Sequence, residues 1–418
     1  MSQDHYLKAV TELSQSHKMI AASDIHSPSG IKLIAAGVEI TNKMLDRLSQ
    51  HKLIPNLDQA LSMENMLNSE SIYLDAIDLL NGSDKLIKAI QSVDKTNSFR
   101  SVIAAISLPT PLLFKLTVAK EKYSHIYQHS LLLMIISVYL AHRDGMKTKE
   151  LEEVATASLF QDIGMMHIDP DLLKPSYVMS PLERRHLYAH PLTGFLLISE
   201  FPEISKSVAN AILEHHERMD GSGYPRGING ESISRYGQIL SITEIIAKAF
   251  DEEGQRLSWK DVDVILKLNS KKFGAGLVSY LDVFFDDLVE ASSDQNESEN
   301  LIEQIRVIAK LFSDFNHVTS SQNNNKIFEY SKSRLIELQV SLFSAGIDPR
   351  DPEQLIEIIT SDPEAKTDYI PIINETIWQF RSLLMDISRL FPEIHQPSGE
   401  LNLNGWLTQM KLTLMVLK

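Results

Sequence analysis

Residues His215-His216-Glu217-Arg218-Met219-Asp220-Gly221-Ser222-Gly223-Tyr224-Pro225-Arg226-Gly227 concentrate side chains and turn residues with distinct chemical uses. Adjacent neutral imidazoles suit a first-row metal ion. Gly221 and Gly223 permit positive φ and a close approach of backbone to a bulky anion. Tyr224 offers an aromatic face to a nucleobase, and Pro225 fixes the backbone that follows. A histidine pair alone is more often a surface feature than a metal site. A pair that ends an apolar helical stretch (Val208, Ile212, Leu213) and runs straight into a Gly-Ser-Gly-Tyr-Pro loop does not fit that bland reading. His125 and His129, four residues apart, share one face of a helix and can bind a single ion. Eight of the 14 histidines fall between His125 and His216, which places any metal chemistry in the middle of the chain.

The run resembles the signature of the HD-GYP family, bacterial metal-dependent phosphodiesterases that hydrolyse the second messenger cyclic di-GMP. The resemblance covers roughly residues 120–290. Where the family has a His-Asp pair with a lysine three residues after the aspartate, this chain has Gln161, Asp162 and Met165. His190 matches the family's isolated histidine ligand, His215 and His216 match its pair, and Glu244 stands where it has a ligand aspartate. The resemblance therefore implies one metal position built from Asp162, His190, His215 and His216, with every ligand present. It implies a neighbouring position built from His129, residue 161, Asp162 and residue 244. There Gln161 offers a neutral amide oxygen, a poorer ligand than imidazole for iron, manganese or zinc. Glu244 carries an extra methylene that displaces its carboxylate by about one bond length. A third position, used by some members, takes a glutamate where His125 stands. The first site is complete and the second impaired.

Hydrolysis of a phosphodiester by this route needs a metal-activated hydroxide and neutralisation of phosphate charge. Two metals sharing a bridging carboxylate supply both, which makes Asp162 the catalytic residue that the resemblance implies. A nearby lysine adds charge in the family; Met165 adds none. Basic residues beyond the fifth ligand hold the phosphates in the family. In register, Glu253 reverses one of them and Arg256 keeps another. Gly223, Tyr224, Pro225 and Arg256 are the expected ligand-binding residues. The expected function is a cyclic di-GMP phosphodiesterase with a degenerate, weak active site and one iron, manganese or zinc ion. One alternative is a catalytically inactive signalling module acting through cyclic di-GMP or a protein partner. Another is a phosphohydrolase of a different nucleotide, because the broader fold hosts several substrates. Expected partners are cyclic di-GMP, a diguanylate cyclase and a second copy of the chain.

The elements that must carry these residues are helical. The 418 residues allow two or three domains. A formal charge of −15 argues against binding a nucleic acid polymer. The chain has no cysteine, so disulfides and thiolate sites are excluded. Its first residues show no signal peptide, and the apolar run Leu131 to Ala141 is too short to span a bilayer. A cytoplasmic location is the expectation from these features. The fold is expected to be mainly α, in three parts. Residues 1–111 form a small α+β segment, with a helix to about residue 23, one or two strands within Ile31 to Ile40 and a helix from Asn42 to Gln50. Residues 112–291 form an HD-type helical domain. Ser292 to Asn300 reads as a linker, and 301–418 as a helical bundle with Trp378, Phe380, Leu383 and Leu384 in its core.

Overall fold

The computed structural model describes residues 5–48, 51–94, 98–174, 177, 179–250, 257–286, 297–318, 325–362, 366–391 and 403–417. The chain is mainly α, with four short strands among the described residues. It separates into two compact units. The first comprises residues 1–256 and 271–284, the second 257–270 and 285–418.

The first unit is built around the Ser124–Arg143 helix. Residues Leu131 to Ala141 are all buried, so this helix is apolar all round rather than on one stripe. By length and composition it could cross a membrane, but 78% of its apolar window is buried inside the fold. The Thr148–Phe160 and Arg235–Ala247 helices pack directly against it, and the Lys206–Glu214 helix packs on both of those. Serine caps start several of these helices. Ser205 Oγ accepts from Val208 N at 3.3 Å, and Ser234 Oγ from Gly237 N at 3.1 Å. Arg235 pairs with Asp144 and so ties the start of one core helix to the end of another.

The N-terminal segment departs from the sequence expectation in detail. Its helix spans only His5–Leu13, because the chain turns and enters a strand, Met19–Ala21, that pairs antiparallel with Leu61–Met63. Ile25–His26, read as part of a turn, pairs with Lys32–Ile34. The three strands that were missed, Met19–Ala21, Ile25–His26 and Leu61–Met63, are two or three residues long, too short to show alternation. The Asn42–Leu48 helix lies where one was expected.

The second unit is helical. Its helices are Trp259–Leu268, Glu297–Phe315, Asn325–Ser344, Pro352–Ser361, Lys366–Leu390 and Leu403–Val416. The Pro352–Ser361 helix was not foreseen. Glu297 to Asn300, read as linker, are the first turn of a helix, and residues 287–296 lie outside the described residues. Phe380 and Leu383 are buried as expected and Leu384 partly so, but Trp378 is 46% exposed. The inward stripe runs Ile373, Ile377, Phe380, Leu383, Ile387, and residue 378 is about 100° off it. A buried polar seam links the unit's first helix to its longest. Glu375 Oε1 accepts from Asn269 Nδ2 and from Gln379 Nε2, each at 2.7 Å.

Candidate metal centre

Three helix ends and two helix faces converge around Asp162. This residue follows Gln161, which closes the Thr148–Phe160 helix, and caps a tight 3-10 turn, Ile163–His167. The turn sits against the start of the His190–Ser199 helix. A Cβ on Gly164 would lie 2.2 Å from the His190 carbonyl oxygen, so only glycine permits the approach. Pro191 opens that helix in its first turn, where a missing N–H costs nothing. His215 caps the Lys206–Glu214 helix and His216 follows it.

Donor atoms of Asp162, His190, His215 and His216 all lie within 4.8 Å of one another. His190 Nε2 is 3.4 Å and His215 Nε2 3.8 Å from Asp162 Oδ1. A second group shares the same aspartate, with His129 Nε2 4.0 Å from Asp162 Oδ2 and 3.5 Å from Glu244 Oε2. The two carboxylate oxygens of Asp162 thus face different groups of donors.

Hydrogen bonds fix which imidazole nitrogens are available. His190 Nδ1 is 2.7 Å from the Leu187 carbonyl, and His215 Nδ1 is 2.6 Å from the Ile212 carbonyl. A carbonyl can only accept, so both Nδ1 atoms carry the proton in the neutral rings and both Nε2 atoms present lone pairs. Those two Nε2 atoms are 3.1 Å apart. Lone pairs facing each other beside a carboxylate repel unless a cation lies among them. Carbonyl-tethered imidazoles of this kind are how proteins orient metal ligands. Burial pushes His215 down to about 4, and it drives His216 well below the usual histidine range, so both are neutral donors at neutral pH. Burial alone would raise Asp162. The imidazoles packed around it, His190 first and then His215 and His129, outweigh that and hold it lowered, as a carboxylate. The donor set fits a divalent cation.

The other expected site residues are less uniform. His125 lies one turn before His129, is exposed, and belongs to neither donor group. Met165 sits half-buried in the 3-10 turn. Arg256 and Glu253 lie outside the described residues. Gly221 adopts positive φ (+76°), as expected. Gly223 does not, and its role is close approach to the chain itself. An added Cβ would lie 2.4 Å from Glu217 Cα and 2.5 Å from the His216 carbonyl oxygen. Tyr224 does not present an open face. Its ring stacks on His216 with centroids 4.6 Å apart and meets Tyr188 at 4.4 Å. It walls the histidines, and Pro225 follows, half-buried.

Sequence reasoning assigned no role to the residues that hold the loop. Glu217, fully buried, accepts from Arg226 N at 2.7 Å and Ile228 N at 3.2 Å. Glu214 accepts from Arg226 Nη2 at 2.7 Å and Ser234 N at 2.8 Å. Arg218 Nη1 donates to the Glu217 carbonyl at 2.9 Å and to Ser241 Oγ at 2.5 Å, with its guanidinium 5.2 Å from the Phe273 ring. Two glutamates three residues apart where a helix ends, Glu214 and Glu217, beside a glycine-rich loop, were the signal available.

Residues 110–268 match the HD domain family. Over 185 residues the chain is 26% identical to the cyclic di-GMP phosphodiesterase PA4108 of Pseudomonas aeruginosa, covering 43% of this chain and 44% of that protein. Over 128 residues it is 34% identical to a cyclic di-GMP phosphodiesterase of Thermotoga maritima, covering 30% of this chain and 33% of the relative. Over 123 residues it is 30% identical to the 3'3'-cGAMP-specific phosphodiesterase 2 of Vibrio cholerae, covering 29% and 23% respectively. The matched part spans less than half the length of each of these relatives.

Proposed function

We propose, from the match of residues 110–268 to the HD domain family and the likeness to cyclic di-GMP phosphodiesterases, that this chain is a divalent-metal-dependent phosphodiesterase of the HD-GYP type acting on cyclic di-GMP. The observation that carries the reading is the division of Asp162, with Oδ1 toward His190 and His215 and Oδ2 toward His129. A carboxylate divided in this way can bridge two ions. His190, His215 and His216 would hold one ion with Asp162, and His129 and Glu244 its neighbour. When bound, such a pair supplies a hydroxide at neutral pH and positive charge for the scissile phosphate.

The chain's own groups do the positioning. The Leu187 and Ile212 carbonyls keep the His190 and His215 Nε2 lone pairs turned toward Asp162. Tyr224 and Tyr188 close one side of the histidines against water. The buried Glu217 carboxylate holds the loop that carries Tyr224 through its bonds to the Arg226 and Ile228 N–H groups. Met165 leaves the phosphate without a side-chain cation at that position, so turnover is expected to be slow.

The test is incubation of chelator-free protein, with manganese or ferrous iron added, with cyclic di-GMP and separately with 3'3'-cGAMP. Metal-dependent opening of cyclic di-GMP to the linear dinucleotide supports the proposal. Turnover of 3'3'-cGAMP alone would move the substrate assignment. A second reading, a signalling module that binds a metal at the first position and cleaves nothing, is favoured by Gln161 at the second position and by Met165. Metal binding without turnover of either nucleotide would establish it instead.

A further inference from the structure

A further polar side chain, Gln161, stands next to the second donor group. Gln161 closes the Thr148–Phe160 helix and is fully buried. Its Nε2 donates to Glu244 Oε1. A carboxylate only accepts, so the amide nitrogen is the atom bonded to Glu244 and the amide oxygen is left for another partner. That oxygen is buried and has no hydrogen-bond partner. A buried acceptor left unpaired costs on the order of 1–3 kcal/mol, and such an atom in a native structure calls for a ligand. The other oxygen of the same Glu244 carboxylate faces His129 Nε2 at 3.5 Å. The amide oxygen shares its carbon with the nitrogen that Glu244 binds, so it lies beside the carboxylate that faces His129.

We infer that Gln161 and Glu244 act as a pair that rebuilds the second position as a hard-cation site. Gln161 Oε1 is a ligand there, together with His129, Asp162 and Glu244. The longer glutamate is part of the same arrangement, because it reaches the amide and fixes which end of Gln161 faces inward. One nitrogen against three oxygen-bearing groups favours manganese or magnesium, in contrast to the three-imidazole set at the first position. This rests on the proposal that the chain binds metal through Asp162, and it assigns a different cation preference to each position.

The experiment is metal binding by the full chain, read by manganese electron paramagnetic resonance and calorimetry, with magnesium and zinc as competitors. Two manganese ions per chain are expected, one of them displaced by millimolar magnesium and the other not. Gln161→Leu removes the amide at similar volume and is expected to lose the magnesium-sensitive ion while keeping the first. The retained ion shows that the fold and the first donor set survive. Gln161→His is expected to raise the zinc-to-manganese affinity ratio at the second position by at least about tenfold, because imidazole replaces an oxygen donor. Two ions in the wild type with both variants unchanged would overturn the role of Gln161 and leave the functional proposal standing. A single ion in the wild type, unaffected by magnesium, would overturn the second site altogether. No ion at either position would overturn the functional proposal and this inference together.

Discussion

The Glu217 carboxylate accepts the backbone N–H of Arg226 at 2.7 Å, from a position with no solvent exposure. Burial pushes Glu217 up, and the Arg226, Ile228 and Gly227 N–H groups work against that shift. This bond joins the end of the metal-bearing helix to the far side of the loop, nine residues on. Glu217→Ala leaves these N–H groups without their acceptor, at about 1–3 kcal/mol for each group left unsatisfied. The expected result is a loss of roughly 2–5 kcal/mol in urea unfolding. Glu217→Gln keeps one acceptor oxygen and should lose less. Equal stability of Glu217→Ala and wild type would mean that the loop holds itself.

Gly223→Ala is predicted to be far more damaging than a glycine change in open space. Its Cβ would meet backbone atoms at 2.4 to 2.5 Å, and backbone cannot swing aside. Gly276, with nothing within 4 Å and no positive φ, is the control. Gly223→Ala should cost at least about 2 kcal/mol and weaken metal retention, while Gly276→Ala stays within about 1 kcal/mol of wild type. Thermal melts of the two variants side by side decide the matter, and matching melting temperatures would refute the close packing of the loop on the Glu217 backbone.

Metal-free protein should lose stability as pH falls from about 6.5 toward 4. His215 titrates near 6.5 when unfolded and is pushed down to about 4 by burial in the fold. Between those values the unfolded chain takes up a proton that the folded chain refuses, so acid favours unfolding. Full passage through the window amounts to about 3 kcal/mol. His216, also lowered by burial, acts in the same direction. Asp162, held lowered, keeps its contribution until more acidic pH. Urea midpoints in chelator at pH 7.5 and 4.5 should differ accordingly, and the difference should shrink in His215→Asn. A flat profile would contradict a neutral, buried His215.

The second unit begins before the residue at which its sequence pattern starts. Asn269 donates a hydrogen bond to the buried Glu375, as does Gln379. A fragment of residues 301–418 lacks that partner. It should be less stable than a 257–418 fragment by about 1–3 kcal/mol and less helical by circular dichroism. Fragments of equal stability would show that the polar seam contributes nothing.

The sequence was informative where a residue's chemistry is local. Helical periodicity gave the mainly α class and most helices of the second unit, because 3.6-residue spacing persists over several turns. The resemblance to the HD-GYP motifs singled out His129, His190, His215 and His216, whose donor atoms fall into two groups around Asp162. It could not show that both Nδ1 atoms are tethered to carbonyls, since that depends on where helix ends meet. It also ranked Gln161 and Glu244 as separate defects. Their hydrogen bond joins residues 83 apart in sequence, and no spacing rule reaches that far. The short strands and the exposed face of Trp378 were missed for a related reason. A two- or three-residue strand has no period, and the pattern around residue 378 fits either face until the bundle is closed.

The central claim is that Asp162 joins two metal positions that together open a cyclic dinucleotide. It is tested most directly by following cyclic di-GMP turnover in manganese-loaded wild type and Asp162→Ala together. The account predicts metal-dependent linear product from the wild type. It predicts a loss of at least about two orders of magnitude in Asp162→Ala, the scale for removing a central preorganised group. Equal rates in the two proteins, or no product from wild type carrying its metals, would contradict it.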